Sequence, residues 1–113
     1  MQKSDLIRVR HMLEAANEAT SFVKNQTRSS LDTNRMLVLS LVRCIEIIEE
    51  AAAQVSKNFQ LNHPQIPWPL IVGMRNRLIH AYFDIDLNLI WDTVDIDLPP
   101  LLNQLEKIVS AEQ

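Results

Sequence analysis

The sequence predicts an all-α fold, an up-and-down bundle of four to five helices, and three of its features carry that prediction. Apolar residues make up 47% of the chain and aromatics only 5%, so the core is aliphatic, as suits packed helices. One glycine and five prolines in 113 residues leave too few turn signals for a sheet protein. Through most of the chain the apolar residues recur every three or four positions, not every second one. The length fits a single domain, 1–113, which buries roughly two thirds of its unfolded surface in one modest core.

Ser4 and Asp5 open the first helix, in which Leu6, Val9, Leu13, Ala16, Thr20 and Val23 keep helical spacing. It fades into the polar TRSS at 27–30. Asp32 or Thr33 starts a second helix that runs to about Asn58. Its stretch MLVLSLVRCIEIIEEAAAQV is apolar around most of its circumference. Ser40, Arg43, Glu46, Glu50, Gln54 and Lys57 form only a narrow polar stripe. Such a helix needs cover on more than one side. Three neighbours within the chain would supply it, as would two neighbours and a second copy; the second arrangement, a dimer formed through the bundle, is the expectation.

Residues 58–69, NFQLNHPQIPWP, read as a loop. Pro67 and Pro69 suit the first turn of a third helix, where a missing N–H costs little, and that helix runs from about Trp68 to His80. The tetrapeptide DIDL then occurs at 84–87 and again at 95–98, which makes Asp86 and Asp97 candidate N-caps. A divalent metal is the other reading of these aspartates, but the helical periodicity beside them explains them without one. The last segment, Leu87 to about Ser110, is helical with a break or kink at Pro99-Pro100.

A net charge of −3 gives no general attraction to polyanions, so any nucleic acid would be bound through a local basic site. The single cysteine, Cys44, excludes an internal disulfide and a cysteine-based zinc site, and reads as a small buried hydrophobe. The opening MQKSDLIRVRHM turns charged before an apolar run develops, which predicts no secretory signal. No stretch reaches ~18 apolar residues, and the expected compartment is the cytoplasm.

The chemistry concentrates in GMRNRLIHAYFDID, residues 73–86. On an ideal helix Arg75 falls among Ile71, Val72, Met74, Leu78 and Ile79, while Asn76, Arg77 and His80 lie on the other side. A buried, unpaired guanidinium is too costly to persist. Arg75 therefore has a carboxylate partner, reaches past the core, or faces an interface. A purely structural reading pairs it with Glu46, Glu49 or Glu50 and sets His80 against the helix dipole.

A functional reading makes Arg75 and His80 an RNA-cleaving site. Metal-free cleavage needs a base for the 2′-OH, an acid for the leaving 5′-oxygen and a cation for the charged phosphorane. Histidine titrates near neutrality and serves either proton transfer; arginine presents a planar fork of donors to phosphate oxygens. One chain supplies one such histidine, and two chains about a twofold axis supply two. Arg77 and Arg43 are the local basic groups available for RNA. His11, Arg8 and Arg10 read as solvated, His63 as a loop residue against a neighbouring helix, and Trp68 and Trp91 as core anchors.

The segment RNRLIHAY, 75–82, resembles the Arg-x4-His-x-Tyr motif of HepT-like proteins in the HEPN superfamily. The similarity extends through IEIIEEAAAQVS (45–56), NHPQIPWPLIVGMRNRLIHAYF (62–83) and DLNLIWDTVDIDLPPLLNQLEKI (86–108). Ala81 stands where glycine is frequent in that family, which removes no chemical group. The resemblance implies a toxin of a toxin–antitoxin pair, a metal-independent endoribonuclease without cofactor that acts as a homodimer. Its implied antitoxin is a minimal nucleotidyltransferase of the MNT type. By position, Arg75 would bind phosphate, His80 would be acid or base, and Asn76 would orient the site. Tyr82 would be the tyrosine that the antitoxin modifies with AMP. Two other readings are a non-catalytic module that binds the nucleotidyltransferase and is modified by it at Tyr82 but cleaves nothing, and a plain oligomerising bundle.

Overall fold

The first helix, α1, covers Lys3–Phe22 and buries Asp5, Val9, Met12, Ala16 and Ala19, a stripe that steps by four and three. The structure, a computed structural model, describes residues 2–81 and 84–112, with the backbone alone at His80 and Ala81. Asp5 does not open α1 as a cap. Gln2 holds that position, while Asp5 is 3% exposed and points inward.

A one-turn helix α2, Ser30–Thr33, precedes the central helix α3, Arg35–Gln54. The start of α3 is fixed by Asn34, whose Oδ1 accepts a hydrogen bond from the Leu37 N–H at 3.0 Å. Two adjoining stripes on α3 are buried: Val38, Leu41, Ile45, Ile48 and Ala52, and beside them Leu37, Cys44 and Ala51. Its main neighbour is α1 along most of its length. Short helices from the middle of the chain cover a second side. The chain thus covers much of this apolar helix by itself. Met36 (80% exposed) and Leu39 (49%) remain on the surface.

Helix α3 stops four residues short of the expected Asn58. Asp5 causes this: its carboxylate accepts from the Ser56 N–H at 2.8 Å and from the Ser56 hydroxyl at 2.7 Å. That N–H is drawn out of the helical ladder, and Val55 turns extended. Ser56 then caps a further helix, α4, Lys57–Asn62, by accepting from the Phe59 N–H. The expected loop is therefore helical in its first part.

Trp68, 5% exposed, is the core anchor expected of it, and its indole N–H donates to the His63 carbonyl at 3.1 Å. Two short helices follow, α5 (Trp68–Val72) and α6 (Met74–Leu78), and after them the strands β1 (Ile79–Ala81) and β2 (Asp84–Ile85), paired antiparallel. The third helix thus breaks at Gly73 and ends two residues before His80. Asp86 caps α7, Leu87–Asp92, as expected, accepting from the Leu89 N–H at 3.1 Å.

The expected break at Pro99-Pro100 is replaced by a π-helical turn, Thr93–Asp97, running straight into α8, Leu98–Ala111. In an α-helical ladder each proline ring would crowd the carbonyl four residues back, Asp95 or Ile96, and both of those residues lie in the wider π turn. The prolines sit in the first turn of α8, where no N–H is missed. Asp97 is helical and makes no capping bond, contrary to its reading as an N-cap. Helix α8 packs on α1, closing an all-α bundle over Val9, Met12, Leu41, Ile45, Ile48, Ile90, Leu98 and Leu105. Among the described residues no helix is long and apolar enough to cross a membrane.

Cys44 lies inside this core at 4% exposure. Burial, reinforced by the nearby Glu18 charge, pushes its thiol from the ordinary 9.0 up to about 11. Between those values the folded state keeps a proton that the unfolded chain has released, so folding loses stability as pH rises through the window. The urea midpoint is expected to be lower at pH 10.5 than at pH 8. A Cys44→Ala variant should lose part of that decline.

Candidate functional site

Arg75 lies on α6 at the edge of the buried face, not at its middle. Trp68, Ile71, Met74 and Leu78 form that face, whereas Val72, counted into it from the sequence, is exposed and Ile79 has left the helix. Centring the face on Ile71, Met74 and Leu78 puts Arg75 roughly 65° to one side at ~100° per residue. Its side chain is consequently 48% exposed.

Two carboxylates of α3 meet it there. Glu49 Oε2 accepts from the Arg75 backbone N–H at 2.8 Å. That donor is orphaned by the break at Gly73, whose own N–H bonds back to the Pro69 carbonyl. Glu46 Oε2 lies 3.5 Å from Arg75 Nε in an ion pair, with the Glu46 side chain 26% exposed. The sequence reading named Glu46, Glu49 and Glu50 as partners. The first two serve, through different atoms of Arg75, and Glu50 is exposed. An ion pair this open contributes under ~1 kcal/mol, so it does not make Arg75 a core element. Among the described residues the terminal guanidinium nitrogens make no hydrogen bond.

Arg43 is exposed on α3 three residues before Glu46, one helical step away. It borders an open cleft of about 380 Å³ lined by Glu18, Phe22, Leu39 and Ile47. Arg77 turns away from this group: its Nη2 donates to the Leu70 carbonyl at 2.8 Å. It lines a largely apolar cavity of about 350 Å³ with Leu70, Met74, Asp97 and Pro100. Asn76 is exposed on α6.

His80 stands on β1, not on the helix, so Asn76 and His80 are not neighbours one turn apart and His80 does not close a helix end. The cause is local: Ile79 is extended, and the Leu78 carbonyl takes the Asp86 N–H at 2.8 Å. The pairing of β1 with β2 fixes the His80 backbone just beyond the helix that carries Arg75. The side chain of His80, and Tyr82 as a whole, lie outside the described residues.

Sequence reasoning missed the part played by Glu49, because a side chain capping a backbone N–H 26 residues later leaves no local pattern. The chemistry available is a partly exposed guanidinium, paired on its Nε edge with Glu46 and anchored at its backbone by Glu49, close in the chain to a histidine on a short hairpin. Among the described residues no three His, Cys, Asp or Glu side chains are grouped to hold a metal ion.

Comparison with known proteins adds a second, independent line. The family model described as "Ribonuclease HepT-like" matches residues 12–108. A Methanocaldococcus jannaschii protein named "Putative RNase" is 37% identical over 84% of this chain and 87% of its own length. A second protein of that organism, also described as a "Putative RNase", is 33% identical over 87% of this chain and 81% of its own. A Thermococcus cleftensis protein named "Probable ribonuclease HepT" is 35% identical over 85% of this chain and 91% of its own. No solved structure matches the chain.

Proposed function

From the premise that this chain belongs to the HepT-like ribonuclease family of the HEPN superfamily, we propose that it is a toxin of a toxin–antitoxin pair that cuts RNA by 2′-OH attack. The observation that carries the mechanism is the guanidinium of Arg75, held at the surface with its terminal nitrogens turned to no partner among the described residues. Arg75 binds the scissile phosphate and neutralises the phosphorane. His80 transfers a proton, as base to the 2′-OH or as acid to the leaving 5′-oxygen. Asn76, next to Arg75 and exposed, orients the phosphate. Arg43 and Arg77 bind flanking backbone. The three requirements, a base, an acid and a cation, are met by side chains, so the reaction needs no metal and no cofactor.

Two chains build the complete site, each contributing Arg75 and His80 to one cleft in a homodimer. Support for self-association is the exposed Met36 and Leu39 on the central helix, together with the single His80 per chain. The whole chain, 1–113, acts as one domain in the cytoplasm. A nucleotidyltransferase antitoxin of the MNT type silences it by transferring AMP from ATP to the Tyr82 hydroxyl, with pyrophosphate leaving and the hydroxyl proton released; Tyr82 is two residues from His80. The added phosphate occupies the cleft that RNA would enter.

The ends of the cut RNA test the mechanism. Attack by the 2′-oxygen forms its bond to phosphorus as the 5′-oxygen leaves and takes up a proton. The products are a 2′,3′-cyclic phosphate and a 5′-hydroxyl. Purified protein with excess EDTA is expected to yield those ends, and to leave a substrate with a single 2′-deoxy sugar at the cut site intact. A 5′-phosphate product would overturn the mechanism. Absence of cleavage, with Tyr82-dependent AMP labelling by the cognate nucleotidyltransferase, would favour a non-catalytic partner module.

A further inference from the structure

Arg75 is gripped at two points by one helix. Glu46 and Glu49 are three residues apart on α3, so both carboxylates face α6. Glu49 holds the backbone of Arg75 through its N–H, 2.8 Å away. Glu46 holds the Nε edge of its side chain, 3.5 Å away. We propose that Glu46 and Glu49 are positioning residues of the ribonuclease site, a carboxylate clamp that aims the terminal fork of Arg75 at the scissile phosphate. The inference rests on the reading of Arg75 as the phosphate-binding group.

An arginine side chain has several rotatable bonds, and a half-exposed one samples many rotamers. A phosphorane is stabilised well only by donors already in place. The clamp removes that freedom without consuming the donors that matter. The backbone N–H anchors the root of the side chain, and the Nε edge fixes its direction. The two Nη groups remain for the two non-bridging oxygens of the scissile phosphate.

A negative charge beside a phosphate-binding cation opposes binding of RNA in the ground state. Charge alone would make Glu46 a hindrance. It helps only if it aligns the guanidinium for the transition state, and the two roles separate kinetically. Glu49 needs only an acceptor atom, whereas Glu46 works through its charge, and this predicts different tolerance of glutamine at the two positions.

The test measures kcat and KM on a short fluorescent RNA, with a thermal melt on each sample. Glu46→Gln is expected to lower kcat about tenfold to hundredfold, the scale of a small misplacement of a catalytic group, with KM unchanged or lower. Glu49→Ala should lose activity, and Glu49→Gln should restore most of that loss, since its carbonyl oxygen accepts from the same N–H. In an Arg75→Ala background, Glu46→Gln should have no further effect. The Arg75 Nε–H resonance is expected to be broader or to exchange faster in Glu46→Gln than in the wild type, a readout that needs no RNA.

Wild-type kcat in folded Glu46→Gln overturns the clamp, as does a further loss when it is added to Arg75→Ala. Glutamine failing to rescue position 49 in a folded protein overturns the backbone half of it. If Arg75→Ala itself cleaves RNA at the wild-type rate, the reading of Arg75 falls and the clamp falls with it. If Arg75→Ala is inactive while Glu46→Gln is not, only the clamp falls.

Discussion

His80→Ala is expected to lower the rate of RNA cleavage by about 10²- to 10⁴-fold, the contribution of a positioned proton-transfer group. Arg75→Ala should cost a comparable factor, because it removes the charge that meets the phosphorane. Arg75→Ala should do so with almost no loss of fold: its ion pair with Glu46 is 3.5 Å long and half-exposed, worth under ~1 kcal/mol. A plain bundle with Arg75 as an internal charge predicts the reverse, an unfolded variant, since breaking a buried pair costs ~3–5 kcal/mol. Cleavage rate and urea midpoint, measured on the same samples, separate the two.

Mixing sharpens the result. If each cleft needs His80 from both chains, activity in randomly mixed wild-type and His80→Ala dimers follows the square of the wild-type fraction. Half-and-half mixtures would then keep a quarter of the activity. A linear dependence, with half remaining, would mean that each His80 works alone and that no composite cleft exists. Full activity in folded His80→Ala would remove the catalytic reading of this residue.

The sequence exposed what depends on near neighbours in the chain. Helical spacing of apolar residues marked the first two helices but not the faces they bury: of Leu6, Val9, Leu13, Ala16, Thr20 and Val23 only Val9 and Ala16 are buried, and the buried Met12 and Ala19 fall outside that series. Asp86 was readable as a cap because its acceptor and the Leu89 N–H are three residues apart. Pro67 and Pro69 placed the start of α5 for the same reason. What the sequence concealed was decided at long range. Nothing around Gly73 announces that Glu49 will take the Arg75 N–H and so accommodate a break there, and nothing before Ile79 announces that the Leu78 carbonyl will take the Asp86 N–H and leave His80 on a strand. Asp97 is a different case, decided close by: the π turn ahead of two prolines carries the helix past it, a geometry that α-helical spacing does not reveal. At the site, residue identities were legible from the motif and their mutual placement was not. Two residues of that motif show how fine the difference is: Arg75 joins the Glu46 side of α6, and Arg77, two positions on, bonds to Leu70 on another.

The strongest effect on stability belongs to a residue remote from any catalytic proposal. Asp5→Ala is expected to destabilise the fold by about 2–4 kcal/mol, the cost of leaving a buried donor unsatisfied and losing a bond to a charged acceptor. Asp5 is 3% exposed, and its two oxygens accept from the N–H and the hydroxyl of Ser56, 51 residues away. That pair fastens the start of α1 to the corner where α3 ends and α4 begins. Removing the carboxylate strands the Ser56 N–H, which has already left the α3 ladder, and frees the hydroxyl that caps Phe59. Against a total of ~5–15 kcal/mol for a domain of this size, the melting temperature should fall by roughly 10–15 °C. Asp5→Asn should cost less, because its amide oxygen still accepts from the Ser56 N–H. Ser56→Ala should cost ~1–2 kcal/mol for the lost cap. Combined with Asp5→Ala, it should add less than its separate effect, since both changes dismantle one network. Additive losses in that double-mutant cycle, or an Asp5→Ala protein that melts with the wild type, would show that the corner is held by apolar packing around Phe59 and Val55 instead.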